Sequence, residues 1–226
     1  RTKTKNKWSV ANNPASAGAK KREKGKTTMA KRVAETKAVE IKAPNITTAA
    51  FKIRGTTIFV QNAFGAKAKQ AMKDKQEAGD DKKKSPKRAA KDFQECYREA
   101  LYETPEGWHG IPACAFRNAL ISSCRLVNFT MTRAKLSVFC LGDGYDGMTE
   151  LVKITKGKPE YFEMPVRLES GVCDLRARPA WKPGWEATVR IRFDQDQFSL
   201  TDVGNLLRRA GEQVGIGEGR PDSKKS

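Results

Sequence analysis

The hydrophobic positions of this chain repeat every second residue in some stretches and at helical intervals in others, and the sharpest pattern lies between positions 185 and 194. There Trp185, Ala187, Val189, Ile191 and Phe193 alternate with Glu186, Thr188, Arg190, Arg192 and Asp194. A period of two predicts a strand buried on one face and solvated on the other. Phe51 to Val60, interrupted at Gly55 and rich in β-branched and aromatic residues, predicts a first strand. Further strands are expected at Lys135 to Leu141, ahead of the turn Gly142-Asp143-Gly144, at Leu151 to Ile154 and at Glu163 to Glu169. Helical spacing is clearest after Gly110-Ile111-Pro112, where Phe116, Ala119, Leu120, Ser123, Cys124 and Val127 share one face. Pro112 suits the start of that helix, because the N–H it lacks would be unpaired there. Gly65 to Gln76 predicts a helix with a thin stripe of Ala68, Ala71 and Met72, and Ala89 to Tyr102 another carrying Phe93, Cys96, Tyr97, Ala100 and Leu101. Ser199-Leu200-Thr201-Asp202 has the form of a capping box ahead of a last helix, whose core face is Val203, Leu206, Leu207 and Ala210 and whose end lies near Gly211. The order of one strand, three helices, four strands and a helix predicts an α+β domain with helices on one face of an antiparallel sheet.

Charge divides the chain unevenly. Residues 1–88 hold 24 Lys/Arg against 7 Asp/Glu, while residues 89–226 hold 20 against 19. Residues 1–45 are rich in Lys, Ala, Thr, Asn and Gly, with Trp8 as their one aromatic, and bury too little apolar surface to offset chain entropy. Residues 1–48 are therefore expected to be a disordered basic arm, and residues 49–226 a folded domain with a basic insertion at about 65–90. Concentrated positive charge points to a polyanionic partner, since displacing condensed counterions from a phosphate backbone dominates sequence-independent affinity. No membrane partner is expected, because no run of 18 apolar residues exists and the basic stretches lack an interleaved apolar face.

Little in the sequence points to catalysis or to a cofactor. The five cysteines, Cys96, Cys114, Cys124, Cys140 and Cys173, contain no C-x-x-C pair and are expected to be free thiols packed as small hydrophobes. The single histidine, His109, reads as structural. No metal cluster, nucleophile-base set or nucleotide-binding fingerprint stands out, so the chain is expected not to be an enzyme and to need no cofactor or metal.

The candidate phosphate contacts are basic residues that the expected elements bring outward. They comprise Lys52 and Arg54 on the first strand, Lys67, Lys69 and Lys73 on the 65–76 helix, and Lys82, Lys83, Lys84, Lys87 and Arg88 in the following loop. Arg117 and Arg125 lie on one side of the Pro112 helix. Arg190 and Arg192 project from the solvated face of the last strand about 7 Å apart, placed either to meet successive phosphates or to pair with Glu186 and Asp194. The segment Gly215-Ile216-Gly217-Glu218-Gly219-Arg220 is either a flexible helix exit or a loop whose bare backbone approaches a phosphate, with Gly215, Gly217, Gly219 and Arg220 as contacts.

Two of these stretches, Gly110-Ile111-Pro112-Ala113-Cys114-Ala115-Phe116-Arg117-Asn118-Ala119-Leu120 and the glycine-rich Gly215 to Pro221, resemble the RAMP superfamily. That superfamily comprises backbone proteins of CRISPR effector complexes and related phage-encoded proteins. The resemblance implies a ferredoxin-like, RRM-like fold that holds RNA or single-stranded DNA along a sheet and its loops, commonly in a filament of repeated subunits. It places Arg117 at the basic position of the helix motif and Gly215, Gly217 and Gly219 in the glycine-rich loop. The expected function is non-catalytic, cooperative coating of single-stranded nucleic acid, for protection or annealing, by a phage or mobile-element protein working in the host cytoplasm and assembling into a filament or ring. The rival expectation is a capsid or virion protein whose basic arm lies against packaged genome.

Overall fold

A computed structural model describes residues 41–77, 90–167 and 170–222. Residues 1–40 of the expected arm and the 82–88 loop lie outside the described residues, while Ile46, Thr47 and Thr48, assigned to the arm, begin the first strand because they pair with Asp194, Phe193 and Arg192 at the end of the last one. The described residues from Lys42 onward belong to one compact unit.

The alternating segment at the end of the domain becomes the central strand. β1 (Ile46–Arg54) and β9 (Glu186–Asp194) pair antiparallel over nine residues, with Phe51 opposite Val189 and Thr48 opposite Arg192. On its other side β9 pairs first with β4 (Val138–Leu141) and then, near Ala187, with β6 (Thr149–Lys156). The short β3 (Gly110–Pro112) and β5 (Gly144–Asp146) also pair with β6. A second sheet holds β2 (Phe59–Val60), β8 (Cys173–Trp181) and β7 (Glu160–Arg167) in that order. All these pairings are antiparallel. The α+β class expected from the hydrophobic pattern is the class observed.

The core lies on one face of the larger sheet. Ala187, Val189, Ile191 and Phe193 of β9 meet Phe116 and Leu120 of α3 (Ala113–Ser123) and Val203 and Leu206 of α5 (Leu200–Arg209). α5 starts at the capping box read from the sequence. The Ser199 hydroxyl accepts from the Asp202 N–H at 3.1 Å, and the Asp202 carboxylate accepts from the Ser199 N–H at 3.0 Å. Such a reciprocal pair satisfies two otherwise unpaired backbone donors. α3 starts immediately after Pro112, which makes no side-chain cap bond, and runs into a 3₁₀ turn, Cys124–Val127, which ends at Asn128 in the left-handed region.

Several elements depart from the sequence expectation. β1 starts at Ile46 and stops at Arg54, one residue before Gly55 makes the last bond of the ladder to the Trp185 carbonyl, and Phe59–Val60 is a separate strand because it pairs with β8 of the second sheet. Lys135 to Ser137 close a helix, α4 (Met131–Ser137), where a strand was expected, so β4 is only four residues long. The expected 89–102 helix is shorter: α2 (Phe93–Glu99) begins where the Asp92 carboxylate accepts from the N–H groups of Gln94 and Glu95. β8 was not anticipated. The 65–76 helix is present as α1 (Ala66–Glu77).

Candidate nucleic-acid interface

The face of the larger sheet away from α3 and α5 is built by the polar half of the β9 alternation. Register places Arg192 between Thr48 on β1 and Phe139 on β4, and Arg190 between Ala50 and Leu141. Residues directly opposite share a face, so the two arginines lie in a row with Lys52, opposite Thr188, and Arg54, opposite Glu186. Val138 and Cys140 turn inward and are buried; Phe139 therefore turns outward. Its ring carries two guanidinium groups, Arg192 and Arg117, each 5.1 Å from the centroid. Cation–π contacts of this kind leave the outer edge of the guanidinium free to donate.

The cations on this face are not equally available. Glu186 holds Lys52 at 3.1 Å and Lys156 at 3.4 Å, and hydrogen bonds from Lys52 and then Lys156 keep its carboxyl below the usual range. Arg190 pairs with Asp143 at 3.0 Å and donates to the Gly142 carbonyl. Arg192 and Arg54 have no acidic partner among the described residues. Both are exposed.

Arg117 has a second duty. Its Nε donates to the Val138 carbonyl at 3.0 Å and its terminal nitrogen to the Lys135 carbonyl, so it clamps α3 onto the start of β4. Arg125 is tied elsewhere, to the Ser122 carbonyl and to Asp222, whose carboxyl it holds below the usual range. On α1, Lys69 is exposed and Lys73 lies 3.7 Å from Glu77. The side chain of Lys67, like the whole Lys82, Lys83, Lys84, Lys87 and Arg88 cluster, lies outside the described residues.

A second surface joins the two stretches on which the family resemblance rests. After α5 the backbone makes a π-helical turn, Ala210–Val214, stopped by Gly215 at φ +74°. The following loop is pinned at three points: Gly215 N–H to Ala210, Glu218 N–H to Val60 and Asp222 N–H to Val214. Gly217, at φ +87°, lies so close to β2 that a Cβ there would come within 2.6 Å of the Val60 oxygen. Glu218 accepts from Arg176 at 3.1 Å and Arg178 at 2.8 Å, and Arg220 donates to the Gly217 carbonyl. The loop thus has fixed contacts, unlike a loose helix exit. It shares a cleft of about 720 Å³ with Pro112, Cys114 and Asn118 at the start of α3 and with Pro165 and Arg167 of β7.

Aromatic side chains and two of the thiols serve the packing around these surfaces. Trp181 and Trp185 are buried, 5.3 and 5.4 Å from the Phe59 ring. His109 lies edge-on to Trp181. All five thiols are free, but the expectation that they pack as hydrophobes holds for Cys124 and Cys140 and fails for the exposed Cys114 and Cys173. Burial pushes the Cys140 thiol up to about 12. Phe139 and the counter-charge Asp143 were missed in the sequence, and Glu186, expected beside the arginines of β9, pairs with Lys52 and Lys156 instead. Phe139 was legible only in the parity of Val138-Phe139-Cys140-Leu141, which sets its ring against the buried positions.

No protein-family model matches this chain, and no curated protein is similar to it in sequence. Among the described residues no helix is long and apolar enough to cross a membrane.

Proposed function

We propose that the protein binds single-stranded nucleic acid without acting on it chemically, and coats it in multiple copies. The observation that carries this reading is the solvent-facing sheet surface on which Arg192 and Arg54, without acidic partners among the described residues, share a face with Phe139. Unpaired arginines meet phosphates, and a guanidinium held over an aromatic ring presents its own outer plane to a base whatever its sequence. The charge of residues 1–88 adds a salt-sensitive contribution that does not depend on the fold. The strand order β1–β9–β4, in which β1 and β4 are linked through α3 while β9 lies between them, supports the ferredoxin-like reading, because a split β-α-β unit is that fold's hallmark. The cleft shared by the α3 start and the glycine loop supports the RAMP-like one.

The reading is tested by anisotropy of labelled 60-nucleotide single strands and the matching duplex across 50–200 mM salt, with negative-stain images of the same mixtures. Preference for the single strand, a loss of affinity of roughly a thousandfold over that range, and filaments or rings that require the strand are the expected results. Affinity insensitive to salt overturns the reading. Closed shells formed by the protein alone replace it with a virion protein whose basic arm faces genome.

A further inference from the structure

The two hydrogen bonds that bracket β1 reveal which way each of its backbone groups points. Gln195 N–H donates to the Asn45 carbonyl at 2.8 Å, and Gly55 N–H donates to the Trp185 carbonyl at 2.8 Å. Both pairs follow the β1–β9 register, which runs without a bulge from Ile46 opposite Asp194 to Arg54 opposite Glu186. In an antiparallel ladder, residues exchanging both bonds alternate with residues exchanging none. The odd-numbered residues of β1 therefore turn their N–H and C=O toward β9. Ile46, Thr48, Ala50, Lys52 and Arg54 turn theirs away, and β1 pairs with no other strand among the described residues.

A nine-residue strand with no proline, no bulge and, among the described residues, no partner for one whole row of its backbone donors and acceptors is a template for another strand. Lysines often protect such edges, but Lys52 is drawn across the sheet to Glu186.

We propose that this edge pairs with β1 of a second copy, antiparallel, about a two-fold axis through Ala50. Three features of the sequence select that partner and that register. The outward-facing residues are the even ones, and a two-fold axis at residue 50 sets even against even: Ala50 against itself, Thr48 against Lys52, Ile46 against Arg54. All nine residues then pair. No like charges oppose, whereas the register centred two residues further on sets Lys52 against Lys52. On the core-side face the same register sets Ala49 against Phe51 and Thr47 against Ile53, small against large, as close-packed cross-strand pairs require. The contact is isologous and closes at two copies. One strand pair covers less than the ~1,600 Å² of a standard interface, so the dimer is concentration-dependent. It stands independently of nucleic-acid binding, and joins the sheet faces of two copies into one.

Sedimentation velocity of the full chain, without nucleic acid, over about 1–200 µM tests it. A monomer–dimer equilibrium is expected. Ala50→Pro removes an outward N–H and spares the β9 ladder, so it weakens the dimer at least about tenfold while the melting temperature stays near that of the parent. Thr48→Lys, facing Lys52 of the second copy, weakens it, and Thr48→Glu tightens it. Adding Lys52→Glu to Thr48→Lys restores the dimer. A parent protein monomeric throughout, a dimer indifferent to Ala50→Pro, or Lys and Glu at position 48 acting in the same direction overturns the proposal. Strand binding by a monomeric protein would leave the proposed function standing without it.

Discussion

Arg192 and Phe139 face each other across β9 and β4, with the guanidinium carbon 5.1 Å from the ring centroid. The pair depends on a register that also places Thr48 on the far side of Arg192. A cation held over a ring loses little side-chain entropy when it then takes up a phosphate, which gives this arginine an advantage over a freely rotating surface lysine.

Replacing the two residues separates their parts. Arg192→Ala is expected to lower affinity for a mixed-sequence single strand and to reduce the magnitude of the slope of log affinity against log salt by about one. Phe139→Leu, which removes the ring that holds Arg192 in place, is expected to cost about 0.5–1 kcal/mol of binding with the slope unchanged. Anisotropy titrations at four salt concentrations read both. Equal slopes in parent and Arg192→Ala would remove that arginine from the interface.

Arg117 is expected to matter more for folding than for binding. Arg117→Met keeps much of the side-chain bulk but abandons the carbonyls of Val138 and Lys135, at a cost of about 2 kcal/mol in urea denaturation. Arg117→Lys recovers only part of this, since an ammonium cannot span both carbonyls with the planar fork of a guanidinium.

The glycines of the C-terminal loop differ in what they tolerate. Gly217 and Gly219 both have positive φ, but a Cβ at 217 meets the Val60 oxygen and the Phe59 ring, while one at 219 meets nothing within 4 Å. Gly219→Ala is expected to cost about 1 kcal/mol and Gly217→Ala at least about twice that. Chemical denaturation followed by circular dichroism would show the ranking, and equal effects would mean that the loop does not lie against β2 in solution.

Acid is expected to destabilise the fold in a defined direction. Asp174, Glu186, Asp202 and Asp222 are held below the usual range, chiefly by hydrogen bonds from Lys91, Lys52, Ser199 and Arg125 respectively. The unfolded chain binds protons at these sites first as pH falls, so their contribution is complete above the ordinary carboxylate value of about 4 and disappears as pH drops through the lowered values. Melting temperatures from pH 7 to 3 should be flat and then fall. Glu186→Gln should fall less steeply than the parent.

How much of this was readable beforehand follows from the kind of signal each element carries. β9, α3 and the Ser199 cap were legible because alternation, helical spacing and capping are local patterns. β8 was not: Arg176, Arg178 and Pro179 interrupt its apolar residues, and it is a strand because β7 and β2 lie on either side of it. β3 is three residues long, too short to display a period. The start of β1, Ile46-Thr47-Thr48-Ala49-Ala50, shows no alternation of apolar and polar residues, and it is held by nonlocal pairing to the end of β9. For the candidate site, Arg190 and Arg192 could be assigned to the solvated face from sequence, but Asp143 beside one of them and Phe139 beside the other required the register. The clamping role of Arg117 required the helix that replaced the expected strand at 135–137.

β2 contains only two residues, yet its Val60 carbonyl receives the Glu218 N–H and its Phe59 ring lies against Trp181 and Trp185. The wall of the C-terminal cleft is therefore one side chain away from two buried indoles. The protein carries its own optical gauge: in a variant whose Trp8 and Trp108 are replaced by phenylalanine, a ligand that displaces the glycine loop should change indole emission with no dye attached, while one confined to Arg192 and Phe139 should leave that emission as it was.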